Sequence, residues 1–244
     1  MTDSNAELRE YFDKLVHHFL NTKSMRQQLK SVLTWTSPTR IDALNRGHYF
    51  FQLAAYSLLR IVLIELSTLL SHKEKRSLFH WLKRAWECAA EVKPTRYNPR
   101  QRRGEREPVS VKEFRTMIDG QIAELEARKD TIARIKGRRD KAIAHLDREY
   151  FDDPQALSRD YPLTDNDLDD LIELVGSILR KHHSCLFGSD IIMEVKSAYT
   201  IDAVLEYTRA FMRARQDFNL IKMGFSPALY LREDYEQRSH KPET

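Results

Sequence analysis

An arginine and a histidine near the end of one predicted helix are the residues of this chain best suited to chemistry. Arg139 and His145 lie six positions apart in the run Arg139-Asp-Lys-Ala-Ile-Ala-His145-Leu-Asp147. A guanidinium is permanently charged and matches phosphate oxygens, whereas imidazole titrates near neutrality and can transfer protons. A fixed cation beside a titratable base suits the cleavage of a phosphodiester.

The sequence places this pair at the end of a long amphipathic helix. Ser110 and Glu113 form an S-x-x-E start signal, and the periodic pattern runs to about His145. Apolar residues recur at spacings of three, four and seven, namely Val111, Phe114, Ile118, Ile122, Leu125, Ile132 and Ile135. Arg139 continues this stripe where an aliphatic residue is expected, and a guanidinium is costly to bury alone. Arg139 therefore needs an anionic partner or an opening to one.

The residues leave several arrangements open. Arg139 could pair with a buried carboxylate such as Glu65, with His145 only capping a helix. In a straight α-helix Arg139 and His145 are about 120° apart, whereas Arg138 and His145, seven positions apart, share one face. Either Arg138 is the working arginine, or more than one helix builds the site. A second copy packed across a two-fold axis through the apolar stripe would place two arginines and two histidines around one cleft.

The remaining pattern predicts an all-α protein. Glycine and proline are scarce, with 7 and 8 residues, and strand-like alternation is absent from the sequence. Other helices are expected at about 4–32, 41–70, 75–92, 168–186 and 201–218. The helix at 41–70 is apolar nearly all round, which indicates a central position in a bundle. Within it, Arg60 and Glu65 are each expected to meet another helix. We expect a bundle over 1–187 and a helical extension with a polar tail over 188–244.

Composition and spacing argue against several classes of protein. Cys88 and Cys185 lack C-x-x-C spacing, and the N-terminus does not resemble a signal peptide, so a cytoplasmic protein is expected. The apolar window 53–70 contains Arg60 and Glu65, which favours a core helix over a membrane span.

Histidine spacing gives no metal site. His17-His18 and His182-His183 are adjacent pairs without a further ligand at zinc spacing, so neither metal nor cofactor is expected. The pair at 182–183 is instead explained by the helix dipole, because protonated histidines are stabilised at a helix C-terminus.

A basic loop is predicted over 93–109. Its six basic residues and two glutamates give +4, which equals the net charge of the whole chain. Arg100, Arg102, Arg103 and Arg106 are candidates for contacts with RNA phosphates. A solvated, flexible linker is an equally weighted interpretation.

The motif resembles the signature of the HEPN superfamily. The form R-D-K-x-x-A-H-x-D over 139–147 is similar to that of the AbiU-type subgroup, named from phage abortive infection. The run Y-P-L-T-D-N-D-L over 161–168 and the apolar second helix also resemble that subgroup. The resemblance covers roughly 40–187, so the N-terminal helix and the C-terminal extension are additions to a HEPN-like helical bundle.

The resemblance implies a metal-independent endoribonuclease of a phage-defence or toxin–antitoxin system, with its active site at a homodimer interface. Arg139 and His145 would be the catalytic pair, with Arg138, Asp140 and Asp147 in support. His145 would transfer protons while Arg139 stabilises the phosphate, giving a 2′,3′-cyclic phosphate product. DNA lacks the 2′-OH and would be inert. Two alternatives are a non-catalytic HEPN module that binds RNA, nucleotide or a partner protein, and a purely structural bundle.

One position departs from the toxins of this superfamily that are silenced by nucleotidyl transfer. Those toxins usually carry a tyrosine two residues after the histidine, where this chain has Asp147. Silencing by modification at that position is therefore not expected, although Tyr150 is close in sequence. An antitoxin protein that binds the chain remains a possible partner.

Overall fold

The protein is predominantly helical, as predicted. A computed structural model describes residues 3–34, 38–97, 106–144, 153–194 and 201–224. Its helices are α1 (Asp3–Leu33), α2 (Pro38–Arg46), α3 (His48–Leu69), α4 (Leu78–Glu87), α5 (Ala89–Val92), α6 (Val111–Glu126), α7 (Lys129–Arg138), a π-helix (Arg139–Ala144), α8 (Pro154–Asp160), α9 (Asp165–Phe187) and α10 (Ile201–Lys222). Two short strands, β1 (Thr95–Tyr97) and β2 (Arg106–Pro108), pair antiparallel at the ends of the basic segment, where no strand was predicted.

The chain divides into two compact units. The larger unit comprises residues 1–30 and 53–196, and the smaller unit comprises 31–52 and 197–244. The smaller unit thus combines the C-terminal extension with a segment near the N-terminus, which a single boundary at residue 187 does not describe.

The core of the larger unit is built around buried aromatic side chains. Trp81 of α4 and Phe12 of α1 are buried with ring centroids 5.1 Å apart, and Phe19 and Phe114 are buried in the same cluster. The indole nitrogen of Trp81 donates a hydrogen bond of 3.2 Å to the carbonyl of Leu8. The polar edge of this large residue is therefore satisfied inside the core.

Ion pairs of one buried arginine join α1 to the start of α9. The guanidinium of Arg26 is buried and lies 2.8 Å from Asp165 and 2.9 Å from Asp169. Burial alone would raise the pKa of Asp169, but hydrogen bonds from Arg26 and Lys30 outweigh it and lower that pKa. The charges are thus compensated where the two helices meet, as a buried cation requires.

The predicted helix at 41–70 is two helices, α2 and α3, which are separated at Gly47. A Cβ at Gly47 would lie 2.8 Å from the ring of Phe51, so this aromatic ring packs against the glycine backbone. Residues of the second half of α3, including Val62, Leu63 and Leu66, are buried. This half confirms the prediction of a core helix.

The first half of α3 does not confirm the prediction of a core helix. Leu53 and Tyr56 are 64% and 55% exposed, so part of the apolar surface of this half is not core, although Phe51 is buried. The whole helix is long and apolar enough to cross a membrane by length and composition. A sequence window cannot distinguish an apolar residue that packs from one that faces outward.

The smaller unit is organised around contacts between α2 and α10. Arg40 forms an ion pair with Asp202 in the first turn of α10, and Ser31 donates a hydrogen bond of 3.1 Å to the same carboxylate. Leu205, which lies three residues after Asp202 on α10, is buried. Ala43 and Leu44 of α2 are also buried. One side of the N-terminal half of α10 is thus packed within its own unit.

Candidate active site

The motif residues begin a π-helix and do not continue a straight α-helix. The predicted helix at 110–145 is broken after α6, continues as α7, and changes to π geometry from Arg139 to Ala144. A π-helix is hydrogen-bonded from i to i+5 and occurs mostly as a short insertion, frequently at functional sites. The angles predicted for a straight α-helix therefore do not apply beyond Arg139.

The apolar stripe of α6 and α7 is buried within the subunit. Phe114, Ile118, Leu125 and Ile135 are all buried in the core. A second copy cannot pack through side chains that already fill the interior, so the expected two-fold contact through this stripe is wrong. A composite cleft requires another surface.

Arg139 is held at two points and remains partly exposed. Its Nη1 donates to Ser67 Oγ at 3.0 Å, and its Nε and Nη2 lie 2.7 Å and 2.6 Å from Asp140 Oδ1. The arginine side chain is 22% exposed. The charge is thus positioned at the surface of the bundle and not sealed within it.

Ser67 is a site residue that the sequence reasoning missed. Its hydroxyl is buried and donates to the carbonyl of Ile64 at 2.7 Å. Because that bond uses its only hydrogen, the oxygen faces Arg139 as an acceptor. Ser67 could have been identified from the sequence as a serine within the apolar second half of α3, because a buried hydroxyl needs a hydrogen-bond partner.

Glu65 is not the partner of Arg139. Its carboxylate lies 2.7 Å from Nε2 of His18 on α1, so Glu65 does meet another helix, as predicted. Arg60 lies over the ring of Tyr56 on its own helix, 5.3 Å from the centroid. The acid beside Arg139 is instead the partly exposed Asp140, the polar residue that follows the arginine in the motif.

Arg138 points to a different part of the protein. Its Nε donates to the carbonyl of Tyr161 at 2.7 Å, and burial lowers the pKa of its guanidinium. The ring of Tyr161 also covers Gly137, where a Cβ would lie 2.1 Å from the ring edge. Arg138 therefore secures the segment before α9, and of the two arginines only Arg139 has the setting of an anion-binding group.

The close contact between Gly137 and Tyr161 gives a stability prediction. Gly137→Ala is expected to lower the unfolding free energy by about 1–3 kcal/mol, because the ring must move or strain the helix. Chemical denaturation should measure the loss. Gly120→Ala is the matched control, since nothing lies within 4 Å of a Cβ there. In a helix interior that change should be stabilising, by up to about 1 kcal/mol. Equal effects at the two glycines would contradict the contact.

Several predicted site residues lie outside the described residues. These are His145 and Asp147 of the motif, Tyr150, and Arg100, Arg102 and Arg103 of the basic segment. Arg106 is described: it lies on β2, and its side chain packs against Gly188 just after the end of α9. A guanidinium there is favoured by the negative end of the helix dipole. Contacts between these arginines and RNA stay a prediction.

His182 is a neutral core histidine. It is buried, its Nε2 lies 2.7 Å from the side-chain oxygen of Gln121, and the ring of Trp81 packs edge-on at 4.6 Å. Burial lowers the pKa of this imidazole to about 3. The dipole explanation required a charged ring and is therefore wrong for His182. Among the described residues, three potential metal-binding side chains do not come together anywhere.

The comparison with protein families agrees with the fold and with the motif. The family HEPN_AbiU2, described as AbiU2, matches residues 6–207. Neither a curated protein nor a solved structure matches the chain. The match covers most of the chain and extends from α1 into α10. The chain therefore belongs to the AbiU2 family, whose domain is an abortive-infection-related HEPN domain.

Proposed function

We propose that this protein is a metal-independent endoribonuclease of a phage-defence or toxin–antitoxin system. The observation that carries the proposal is the setting of Arg139, a partly exposed guanidinium at the start of a π-helix within the family motif. Its neighbours Ser67 and Asp140 fix its orientation. Preorganised cations aimed at developing charge are among the largest contributions to catalysis.

The guanidinium retains donors for a substrate. Of its five N–H groups, the described contacts use one each on Nε, Nη1 and Nη2. One N–H on each terminal nitrogen remains, and two such donors can contact two phosphate oxygens at once. Arg139 would bind the scissile phosphate and stabilise the negative charge that develops on it.

His145 supplies the proton transfers in this proposal. It accepts the proton of the ribose 2′-OH as the 2′-oxygen attacks phosphorus, and the bond to the 5′-oxygen breaks as that oxygen gains a proton. Such transfer is worth about 10²–10⁴-fold in rate. Neither a metal nor a cofactor takes part in these steps.

The proposed partners follow from the same chemistry. RNA is the substrate, and the basic segment 93–109 contributes phosphate contacts. A second copy completes the cleft, through a surface other than the buried stripe of α6 and α7. An antitoxin protein restrains the activity in the cytoplasm.

Cleavage in the absence of divalent metal is the direct test. Purified full-length protein incubated with transfer RNA and total RNA in EDTA should yield fragments that end in 2′,3′-cyclic phosphate. The same oligonucleotide with a 2′-deoxyribose at the cleaved position should resist, because the attacking hydroxyl is missing. His145→Ala is the negative control for a contaminating nuclease. Cleavage that persists in this variant, or that requires a metal, would contradict the proposal.

A non-catalytic binding module is the second candidate. The observation in its favour is the ion pair between Arg139 and Asp140, which offsets part of the charge that a phosphate would use. In that case RNA binding should be measurable, should weaken in Arg139→Ala, and should occur without cleavage by the wild type.

A further inference from the structure

One face of α3 leads along the helix to the guanidinium of Arg139. Tyr56 and Arg60 precede Ser67 by eleven and seven residues, which at about 100° per residue places all three within about 40° of one another around the helix axis. Ser67 accepts the hydrogen bond from Nη1 of Arg139. Arg139 therefore lies against the face of α3 that carries Tyr56 and Arg60.

Tyr56 presents an aromatic ring to solvent on this face. The residue is 55% exposed, and its apolar neighbours Leu53 and Ile64 are 64% and 36% exposed. The guanidinium of Arg60 lies over the Tyr56 ring, 5.3 Å from its centroid, and Nη1 of Arg60 donates to the Tyr56 hydroxyl at 3.4 Å. These contacts restrain the ring from one side and leave area that a second planar group can cover.

The chemistry of this face suits RNA. Nucleobases stack on aromatic rings and on guanidinium planes, whereas phosphates are bound by cations. The face offers Tyr56 and Arg60 for the first contact and Arg139 for the second. The single acidic residue of α3, Glu65, points to a different side of the helix, where it pairs with His18. Repulsion between this carboxylate and a bound phosphate is thereby avoided.

We propose that Tyr56 stacks a nucleobase of the same RNA strand whose scissile phosphate is bound by Arg139. The inference rests on the proposed function, because both concern the same bound RNA. Tyr56 and Ser67 are about 16 Å apart along α3, which at about 3.4 Å per stacked nucleotide corresponds to about five nucleotides, or fewer in an extended strand.

The stack defines the class of substrate. A base within a duplex is already paired and stacked, and sequence-specific recognition of RNA mostly uses single-stranded loops, bulges and ends. The substrate is therefore a single-stranded segment or loop that continues for a few nucleotides beyond the cleaved bond.

Binding of an intact RNA tests the stack without cleavage. The parent protein is full-length His145→Ala, and the probe is a fluorescein-labelled single-stranded decanucleotide of mixed, unstructured sequence, followed by fluorescence anisotropy. Adding Tyr56→Ala should raise the dissociation constant at least about 5-fold, the loss expected for one base–aromatic stack. Adding Tyr56→Phe should leave the dissociation constant nearly unchanged, because the ring is retained.

Two controls separate stacking from other effects. Tyr207→Ala removes another tyrosine, which is 76% exposed on α10, and should leave the dissociation constant unchanged. The same RNA strand in a fully paired duplex should bind equally to the parent and to Tyr56→Ala, because its bases cannot reach the ring. Urea denaturation should show little change in stability in Tyr56→Ala, as for other exposed positions.

Several results would overturn the inference. A parent protein that does not bind the single strand would do so, as would equal binding by the parent and Tyr56→Ala. Equal weakening by Tyr56→Phe and Tyr56→Ala would show that the ring does not carry the contact, and equal weakening for the duplex would contradict the class of substrate. Loss of a dimer in Tyr56→Ala, measured by sedimentation equilibrium, would show that this face contacts a second subunit instead.

Cleavage is measured separately, so the two proposals fail in different ways. A wild type that does not cleave RNA, but whose RNA binding depends on Tyr56, contradicts the ribonuclease proposal alone. A wild type that cleaves RNA, but whose binding does not depend on Tyr56, contradicts the stack alone.

Discussion

Arg139→Ala is expected to lower the rate of RNA cleavage at least about 100-fold and to change the unfolding free energy little. Removing one preorganised donor to a developing oxyanion costs on the order of 10²–10³-fold in rate. The stability effect is small because the side chain is partly exposed and its acid, Asp140, is the adjacent residue and is also partly exposed. Single-turnover cleavage of a defined RNA and urea denaturation measure the two quantities.

Arg138→Ala is the matched control, because it removes the same charge one residue earlier. Its guanidinium is partly buried against the carbonyl of Tyr161. Loss of that charged hydrogen bond is expected to cost about 1–3 kcal/mol of stability, while the folded fraction retains most of its cleavage rate. The reverse pattern, with Arg138 needed for cleavage and Arg139 for stability, would show that the wrong arginine has been assigned.

Stability is expected to fall as the pH drops below 6.5, because of His182. Its pKa in the folded state is lowered by burial to about 3 from the ordinary value of 6.5, so the unfolded chain binds the proton first. The stability from the neutral imidazole is fully present above pH 6.5. It is lost progressively down to about pH 3, with a slope approaching 1.4 kcal/mol per pH unit for one group, or roughly 2–3 kcal/mol between pH 6.5 and 4.5.

His182→Gln isolates this contribution. Glutamine preserves a polar side chain opposite Gln121 but does not titrate, and the other eight of the chain's nine histidines are common to both proteins. Urea denaturation at several pH values should therefore give a shallower pH dependence in the variant, whatever its absolute stability. Keeping the measurements above pH 4.5 limits the contribution of carboxylates such as Asp169, whose pKa is lowered. Parallel curves for the two proteins would show that His182 can be protonated in the folded state.

Much of the fold could be predicted because helix formation follows a local repeat. The apolar positions Phe114, Ile118, Leu125 and Ile135 were identified from their spacing alone, and all four are in the core. The break at Gly47 could not be obtained in this way, because it is marked by the ring of Phe51 against the backbone and not by a change in hydropathy. The exposure of Leu53 and Tyr56 was missed for a related reason, since spacing does not reveal which of two apolar faces has a partner.

The candidate site, like the fold, could be predicted from the sequence only in part. The sequence by itself determined the all-helical class and the family motif, because these depend on residue type and on spacing along one segment. The pair Arg139 and His145 was predicted from the same motif and stays a prediction. Only the tertiary structure distinguished the settings of Arg138 and Arg139, since these depend on Tyr161 and Ser67, which are remote in sequence. It also made His182 a neutral core residue, because an imidazole's charge depends on how much water the rest of the fold leaves around it.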